Sequence, residues 1–181
     1  MLKIERLSKR HDRKEFDCGN EALTFFLRNM ARQHAERDIS RTFVLIDDET
    51  PHRMLGYFTL TVCEVIPTQI PDQRLRNYPN PLPATRMARL AIASDNQRTG
   101  LGKLLVVDAM RRTLAIRQHA GIIGMFIDAK NAEGADYYKQ HFGFVPLQED
   151  PLKLFLPIHT ISRAFLPRQN SVTEASNGRV C

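Results

Sequence analysis

With 181 residues, 43% of them apolar and 25% charged, the chain has the composition of a globular domain of ordinary size rather than of a disordered polymer. Its 26 basic against 20 acidic residues leave a net charge of +6, which suits either a solvated basic surface or a polyanionic partner and does not separate the two. No apolar run reaches the ~20 residues of a membrane-spanning helix, the opening MLKIERLSKRHDRKEF is too charged for a signal peptide, and Cys18, Cys63 and Cys181 stand too far apart for a zinc-ligand pattern. A cytoplasmic protein with reduced thiols, no membrane association and no metal site is expected.

In chain order, Ile4 and Leu7 mark a short opening strand, and KRHDRKEFDCGNEA reads as a polar loop leading into a helix. From Glu21 to about Arg37 the residues Leu23, Phe26, Leu27, Met30 and Ala31 fall on one helical stripe and predict a buried face. Arg28 and Arg32 stand one turn apart on the other side, as a solvated pair or an RNA-facing edge. Strands are predicted at Arg41 to Ile46 and Met54 to Val65, joined by the turn DDETPHR, with Gly56 as a candidate bulge. Between Ile66 and Pro83 lie five prolines together with Arg74, Arg76 and Tyr78. Such a segment cannot join a sheet, and it is a functional loop, a substrate-side wall or a passive linker. A strand at Ala88 to Ala93 then leads through a polar turn into a helix from about Gly100 to Gln118, whose inner side carries Leu104, Leu105, Val107, Ala109, Met110, Leu114 and Ile116. Gly121 stops that helix, and IIGMFIDA is a buried strand. A helix from near Ala132 carries ADYYKQH and ends at Phe142, Gly143, Phe144. A strand at Leu152 to Leu156 and a short helix at Ile158 to Phe165 follow. One domain over 1–166 is expected, with 167–181 as a polar, frayed tail. The order predicts an α/β protein with a mixed sheet flanked by helices.

The turn Gln97, Arg98, Thr99, Gly100, Leu101, Gly102 carries the chemistry. Two glycines where a strand hands over to a helix let a ligand approach the backbone, and they leave N–H groups at the positive end of the helix dipole. A nucleotide P-loop would require Gly at 97 and Ser or Thr at 104, where Gln97 and Leu104 stand; a dinucleotide fingerprint would require Gly at 105, where Leu105 stands. The pattern that does fit is Q/R-x-x-G-x-G/A, and on it the chain resembles the GNAT N-acetyltransferases, whose coenzyme A pyrophosphate loop it is. The resemblance extends over the buried strand at 121–128, the helix bearing Tyr138 and the Phe-Gly-Phe after it. It implies the GNAT fold, a central, mixed but mostly antiparallel sheet flanked by helices, with acetyl-CoA as donor. It also implies coenzyme contacts at Leu90, Ala91, Ile92, Gln97, Arg98, Thr99, Gly100, Leu101, Gly102, Lys103 and Asn131.

A narrower resemblance rests on Phe16, Asp17, Cys18, Gly19, Leu23, Arg32 and Gln33, on Arg41, Thr42, Phe43, Val44, Gly56 and Tyr57, and on Arg89 to Ile92 with Asp128 and Ala129. Over roughly 2–160 the chain is similar to the toxin acetyltransferases of toxin-antitoxin pairs, which acetylate the amino acid on charged tRNA. This implies aminoacyl-tRNA as acceptor, a ribbon-helix-helix antitoxin and a homodimer. The basic residues Arg28, Arg32, Arg74, Arg76 and Arg89 are the candidate tRNA contacts. One departure touches the site: Lys139, Gln140 and His141 place one extra residue between Tyr138 and Phe142, so counting from Asp128 selects Tyr138 and counting back from Gly143 selects Lys139. A lysine does not simply replace a phenol, which favours Tyr138; Tyr137 points about 100° away and is read as packing.

The expected strand at 88–93 contains no carboxylate to act as base. A lysine amine with pKa ≈ 10.4 would need one, whereas an α-amino group at ≈ 7.7–8.0 is already partly neutral. The acceptor therefore reads as an aminoacyl ester, with Glu64 in the neighbouring strand as the candidate if a base is used. The alternatives are an acetyltransferase of a small amine or protein N-terminus, and an interaction protein that keeps the fold without turnover.

Overall fold

The structure, a computed structural model, describes residues 1–166; the tail expected at 167–181 lies outside the described residues. Its strands are β1 (Leu2–Arg6), β2 (Arg41–Asp47), β3 (Thr50–Val65), β4 (Leu82–Ile92), β5 (Gly124–Asp128), β6 (Val145–Pro146) and β7 (Lys153–Pro157). They form one sheet in the order β1-β2-β3-β4-β5-β7-β6, antiparallel throughout except for the parallel pair β4 and β5. The helices are α1 (Glu21–Phe25), α2 (Ala31–Glu36), α3 (Leu101–Arg117), α4 (Ala132–Phe142) and α5 (Ile158–Ala164). The α/β architecture with a mixed, mostly antiparallel sheet is as expected, and none of the described helices is long and apolar enough to cross a membrane.

The two faces of the sheet bury different sets. Phe58, Leu60, Met87, Met125, Ile127, Leu154 and Leu156 pack under α3 with Leu105, Val106, Ala109 and Met110, and Ile161 of α5 joins them. On the opposite face Tyr57, Val44 and Ala91 meet Phe26, Leu27 and Ala31 from the α1–α2 segment. The buried Tyr57 hydroxyl donates to the Leu23 carbonyl at 2.7 Å and fastens α1 to β3.

Several predicted features shift. The single helix expected at 21–37 is interrupted by a π turn at Phe26–Met30, in which the Ala31 N–H bonds back to the Phe26 carbonyl. The extra residue in that turn rotates the stripe, so Phe26, Leu27 and Ala31 stay buried while Met30 is 37% exposed. The turn between β2 and β3 is shorter than DDETPHR, because β3 already begins at Thr50. β4 begins at Leu82, six residues before the expected start; Pro83 joins the sheet opposite Glu64, contrary to the expectation that the proline segment stays outside it. On α3 the predicted inner residue Leu104 is 43% exposed, and Val106 and Thr113 are buried instead. β6 has no counterpart among the predicted strands.

Both register shifts in the β2–β3 pairing lie on the Thr50 side of Gly56, the nearer one leaving Leu55 without a β2 partner. Toward β4, a Cβ on Gly56 would lie 2.7 Å from Ile92 Cδ1 and 2.8 Å from the Ala91 carbonyl oxygen, so glycine is what lets the two strands close up there. The proline-rich segment is packed onto the fold over its first half, where Pro67 and Ile70 are buried and Leu75 packs against a cluster of Val65, Ala84, Phe126 and Phe155.

Candidate active site

The site is organised by a divergence in the sheet. β4 pairs with β5 only through Thr85, Arg86 and Met87, opposite Met125, Phe126 and Ile127. In the pairing with β3, Thr59 faces Arg89 and Leu60 faces Met87, which leaves Ala88 as the extra residue of a bulge. A bulge bends its strand and increases its twist, and here it falls where β5 parts from β4. Thr85, upstream of the bulge, is held down by a 2.8 Å hydroxyl contact with Thr113 of α3. Beyond it, Arg89–Ile92 keep β3 on one side and have no strand partner on the other among the described residues. The Ala93 N–H bonds to the Leu55 carbonyl of β3, so by strand alternation Ala91 also faces β3 while Leu90 and Ile92 turn their N–H and C=O groups to an open edge, where an extended ligand can bond to them.

At the end of that edge stands the loop 97–102. Gln97 donates its side-chain amide to the Cys18 carbonyl at 2.9 Å and the Ile92 carbonyl at 3.0 Å, so this residue anchors the loop. Arg98 (φ +63°) and Gly100 (φ +84°) are both left-handed. Such backbone turns successive N–H groups into one concavity, and among the described residues nothing accepts from the N–H groups of Arg98, Thr99, Gly100, Leu101 or Gly102. A non-glycine residue at positive φ costs on the order of 1–3 kcal/mol, strain that such sites typically carry. A Cβ on Gly102 would meet no atom within 4 Å. Glycine early in a helix costs about 1 kcal/mol relative to alanine, and protein packing does not require it here; the open space in front suits an approaching phosphate. Arg98 and Lys103 are exposed at the rim, with no carboxylate partner among the described residues. Donors, dipole and charge all favour a pyrophosphate there, so the residues present fit coenzyme A.

Tyr138 is half-buried at the margin of the same core cluster as Leu90, Ile92 and Leu101. Its ring packs against Phe142 and Phe144, with centroids at 6.4 Å and 5.9 Å, and Tyr137 lies edge-on at 5.6 Å. Burial, with Tyr137 adding to it, pushes the Tyr138 phenol up to about 12, so it is protonated at neutral pH. Lys139, the other choice of register, is exposed and ion-paired with Asp136 at 2.7 Å. The left-handed Gly143 (φ +77°) ends α4 after the extra residue. Asn131 caps α4, its side chain accepting from the Gly134 N–H at 2.9 Å, which commits one of its polar groups to the fold. Glu64 is exposed and sits opposite Pro83, five residues before Ala88. At ~3.3 Å per residue that is roughly 17 Å along the strand from the open edge, too far for a base in direct contact with an acceptor there.

The five candidate tRNA arginines are scattered. Arg89 lies under the α1–α2 segment with its guanidinium 3.8 Å from the Phe26 ring centroid. Arg28 donates to the Phe16 carbonyl at 3.0 Å. Arg32 pairs with Glu36 at 3.2 Å, and Arg74 forms two bonds to Asp72, while Arg76 is exposed.

No protein-family model matches the chain. Among curated proteins it is 31% identical over 151 residues to a tRNA-acetylating toxin of Mycobacterium tuberculosis, covering 83% of this chain and 89% of that protein. Among solved structures it superposes on AtaT complexed with acetyl-methionyl-tRNAfMet with a TM-score of 0.84 at 31% identity, covering 92% of this chain and 100% of the other. A tyrosine-to-phenylalanine mutant of AtaT, bound to the C-terminus of the antitoxin AtaR and acetyl-CoA, matches with a TM-score of 0.76 at 30% identity, over 91% of this chain and 98% of the other.

Proposed function

The chain belongs to the family of GNAT-like tRNA-acetylating toxins, and from that premise we propose that it transfers an acetyl group from acetyl-CoA to the α-amine of an amino acid esterified to tRNA. What supports this reading is an unpaired N–H loop at the end of an open strand edge, with a protonated, half-buried phenol at the margin of the same core cluster that Leu90, Ile92 and Leu101 pack against. Acetyl-CoA supplies a thioester activated toward amines. The N–H groups of 98–102 bind its pyrophosphate, with Arg98 and Lys103 adding charge at the rim. The free edge at Leu90 and Ile92 orients the pantetheine arm, and a backbone N–H there donates to the charge that develops on the acetyl oxygen. Tyr138 gives its phenolic proton to the sulfur as the C–S bond breaks and the C–N bond forms, and the proton shed by the acylated nitrogen restores the phenol. No carboxylate is needed, because an α-amino group with a pKa of ≈ 7.7–8.0 is already partly neutral, and esterification lowers that pKa further.

A cytoplasmic homodimer neutralised by a ribbon-helix-helix antitoxin completes the proposal; of these, the AtaT–AtaR complexes among the structural neighbours support the binding of an antitoxin. Acetylation of the α-amine removes the nucleophile of peptide-bond formation, so expression arrests growth by draining usable charged tRNA. The deciding experiment incubates the protein with acetyl-CoA and a full pool of charged tRNA and identifies the acetylated aminoacyl product. Consumption of acetyl-CoA by small amines or protein N-termini, with charged tRNA left unmodified, would replace this reading with that of a metabolic or N-terminal acetyltransferase.

A further inference from the structure

We propose that the concave basic face formed by residues 9–14, with Arg28 behind them, is the surface on which the phosphate backbone of the tRNA body rests. The inference builds on the aminoacyl-tRNA reading above and gives it a location. A concavity of about 550 Å³ is lined there by Lys9, Arg10, Arg13, Lys14 and Arg28, with Asp12 the one carboxylate among its lining residues. Arg10 is paired with Glu5. The other four carry their charge outward: Arg13 donates to the Arg28 carbonyl at 2.7 Å and Arg28 to the Phe16 carbonyl at 3.0 Å, contacts that orient a guanidinium without neutralising it. Lys9 and Lys14 are exposed and have no carboxylate partner among the described residues.

This segment is fixed in place although it lacks regular structure. His11 is 3% exposed; its Nδ1 accepts from the Ser8 N–H at 2.9 Å, so the proton sits on Nε2, which donates to Glu5 at 2.9 Å. The Asp12 N–H bonds to the His52 carbonyl at 2.8 Å. A buried histidine that pins a loop whose side chains are mostly cationic holds those charges in one arrangement before any ligand arrives, which lowers the cost of ordering on binding. The face also leads to the active site. Asp17, three residues after Lys14 and so within about 11 Å of chain, accepts from the Ser94 N–H at 2.9 Å, and the next carbonyl, that of Cys18, holds Gln97 of the pyrophosphate loop. An RNA whose 3′ end enters the open edge of β4 therefore has an unneutralised cationic surface beside it, whereas Arg32 and Arg74 are already paired.

The test uses the full chain and the double variant Lys9→Gln/Lys14→Gln, with filter binding of uncharged tRNA across a salt series alongside acetylation of charged tRNA. Loss of two phosphate contacts should flatten the slope of log K against log salt by about 1.4–1.8 and raise KM for charged tRNA. KM for acetyl-CoA and the melting temperature should hold. Unchanged tRNA binding and slope in the double variant, or a loss that appears instead in Arg74→Gln/Arg76→Gln, would overturn the assignment. A weakened acetyl-CoA KM with unchanged tRNA binding would also overturn it, giving the lysines to the coenzyme's phosphates. Weakened tRNA binding in the double variant, together with an intact protein that acetylates no charged tRNA, would keep the surface and remove the proposed reaction.

Discussion

Replacing Tyr138 by Phe removes one oxygen from a ring whose packing against Phe142 and Phe144 is otherwise complete. Among the described residues that hydroxyl makes no hydrogen bond, and burial has pushed its pKa up to about 12, so folding gains nothing from it. Tyr138→Phe should fold with an unchanged melting temperature and bind acetyl-CoA with unchanged affinity, since the proposed coenzyme contacts are backbone groups of β4 and the 97–102 loop. A general acid contributes about 10²–10⁴-fold to turnover, equivalent to about 2.7–5.4 kcal/mol of barrier. Single-turnover acetylation of charged tRNA, with acetyl-CoA binding measured separately by calorimetry, isolates that factor. Tyr137→Phe and Lys139→Met serve as register controls, because one ring is partly exposed and the other side chain makes only a surface ion pair. Turnover within twofold of the parent in Tyr138→Phe, coupled to a collapse in either control, would show that the extra residue in α4 moves the acid elsewhere.

Gly102→Ala should raise the melting temperature slightly, since alanine is favoured over glycine in a helix by about 1 kcal/mol and its methyl group meets no protein atom; it should nonetheless weaken acetyl-CoA binding, read by calorimetry. Gly56→Ala places a methyl group against Ile92 and the Ala91 carbonyl and should cost about 1–3 kcal/mol in urea unfolding, with activity falling as β4 is displaced. Turnover should rise with pH through the titration of the acceptor amine and stay level to about pH 10, because the Tyr138 proton is lost only near 12; a fall between pH 8 and 9 would point to another acid. Growth arrest on expression should disappear in Tyr138→Phe and on coexpression of the antitoxin; arrest that survives Tyr138→Phe would separate toxicity from acetyl transfer.

The loop proposed to hold the pyrophosphate is legible in the residues Gln97 to Gly102 because its requirements are local: left-handed backbone at Gly100, no side chain at Gly102, and donors left over at a helix start. The same holds for the ends of α4, where Asn131 caps and Gly143 terminates. Helix stripes were legible in part: one failed at Met30, where a π turn adds a residue that no local period encodes, and one at Leu104 of the regular α3, where the sheet buries Val106 and Thr113 instead. What the tertiary structure alone decided is non-local. The bulge at Ala88 and the parting of β4 from β5 arise from pairing between distant strands, and they turn an ordinary apolar strand into an edge able to hold a ligand. Which arginines remain free was likewise beyond the sequence. A positive charge is written in the chain, but its neutralisation by Asp72 or Glu36, or its stacking on Phe26, depends on which groups the fold brings within a few ångströms.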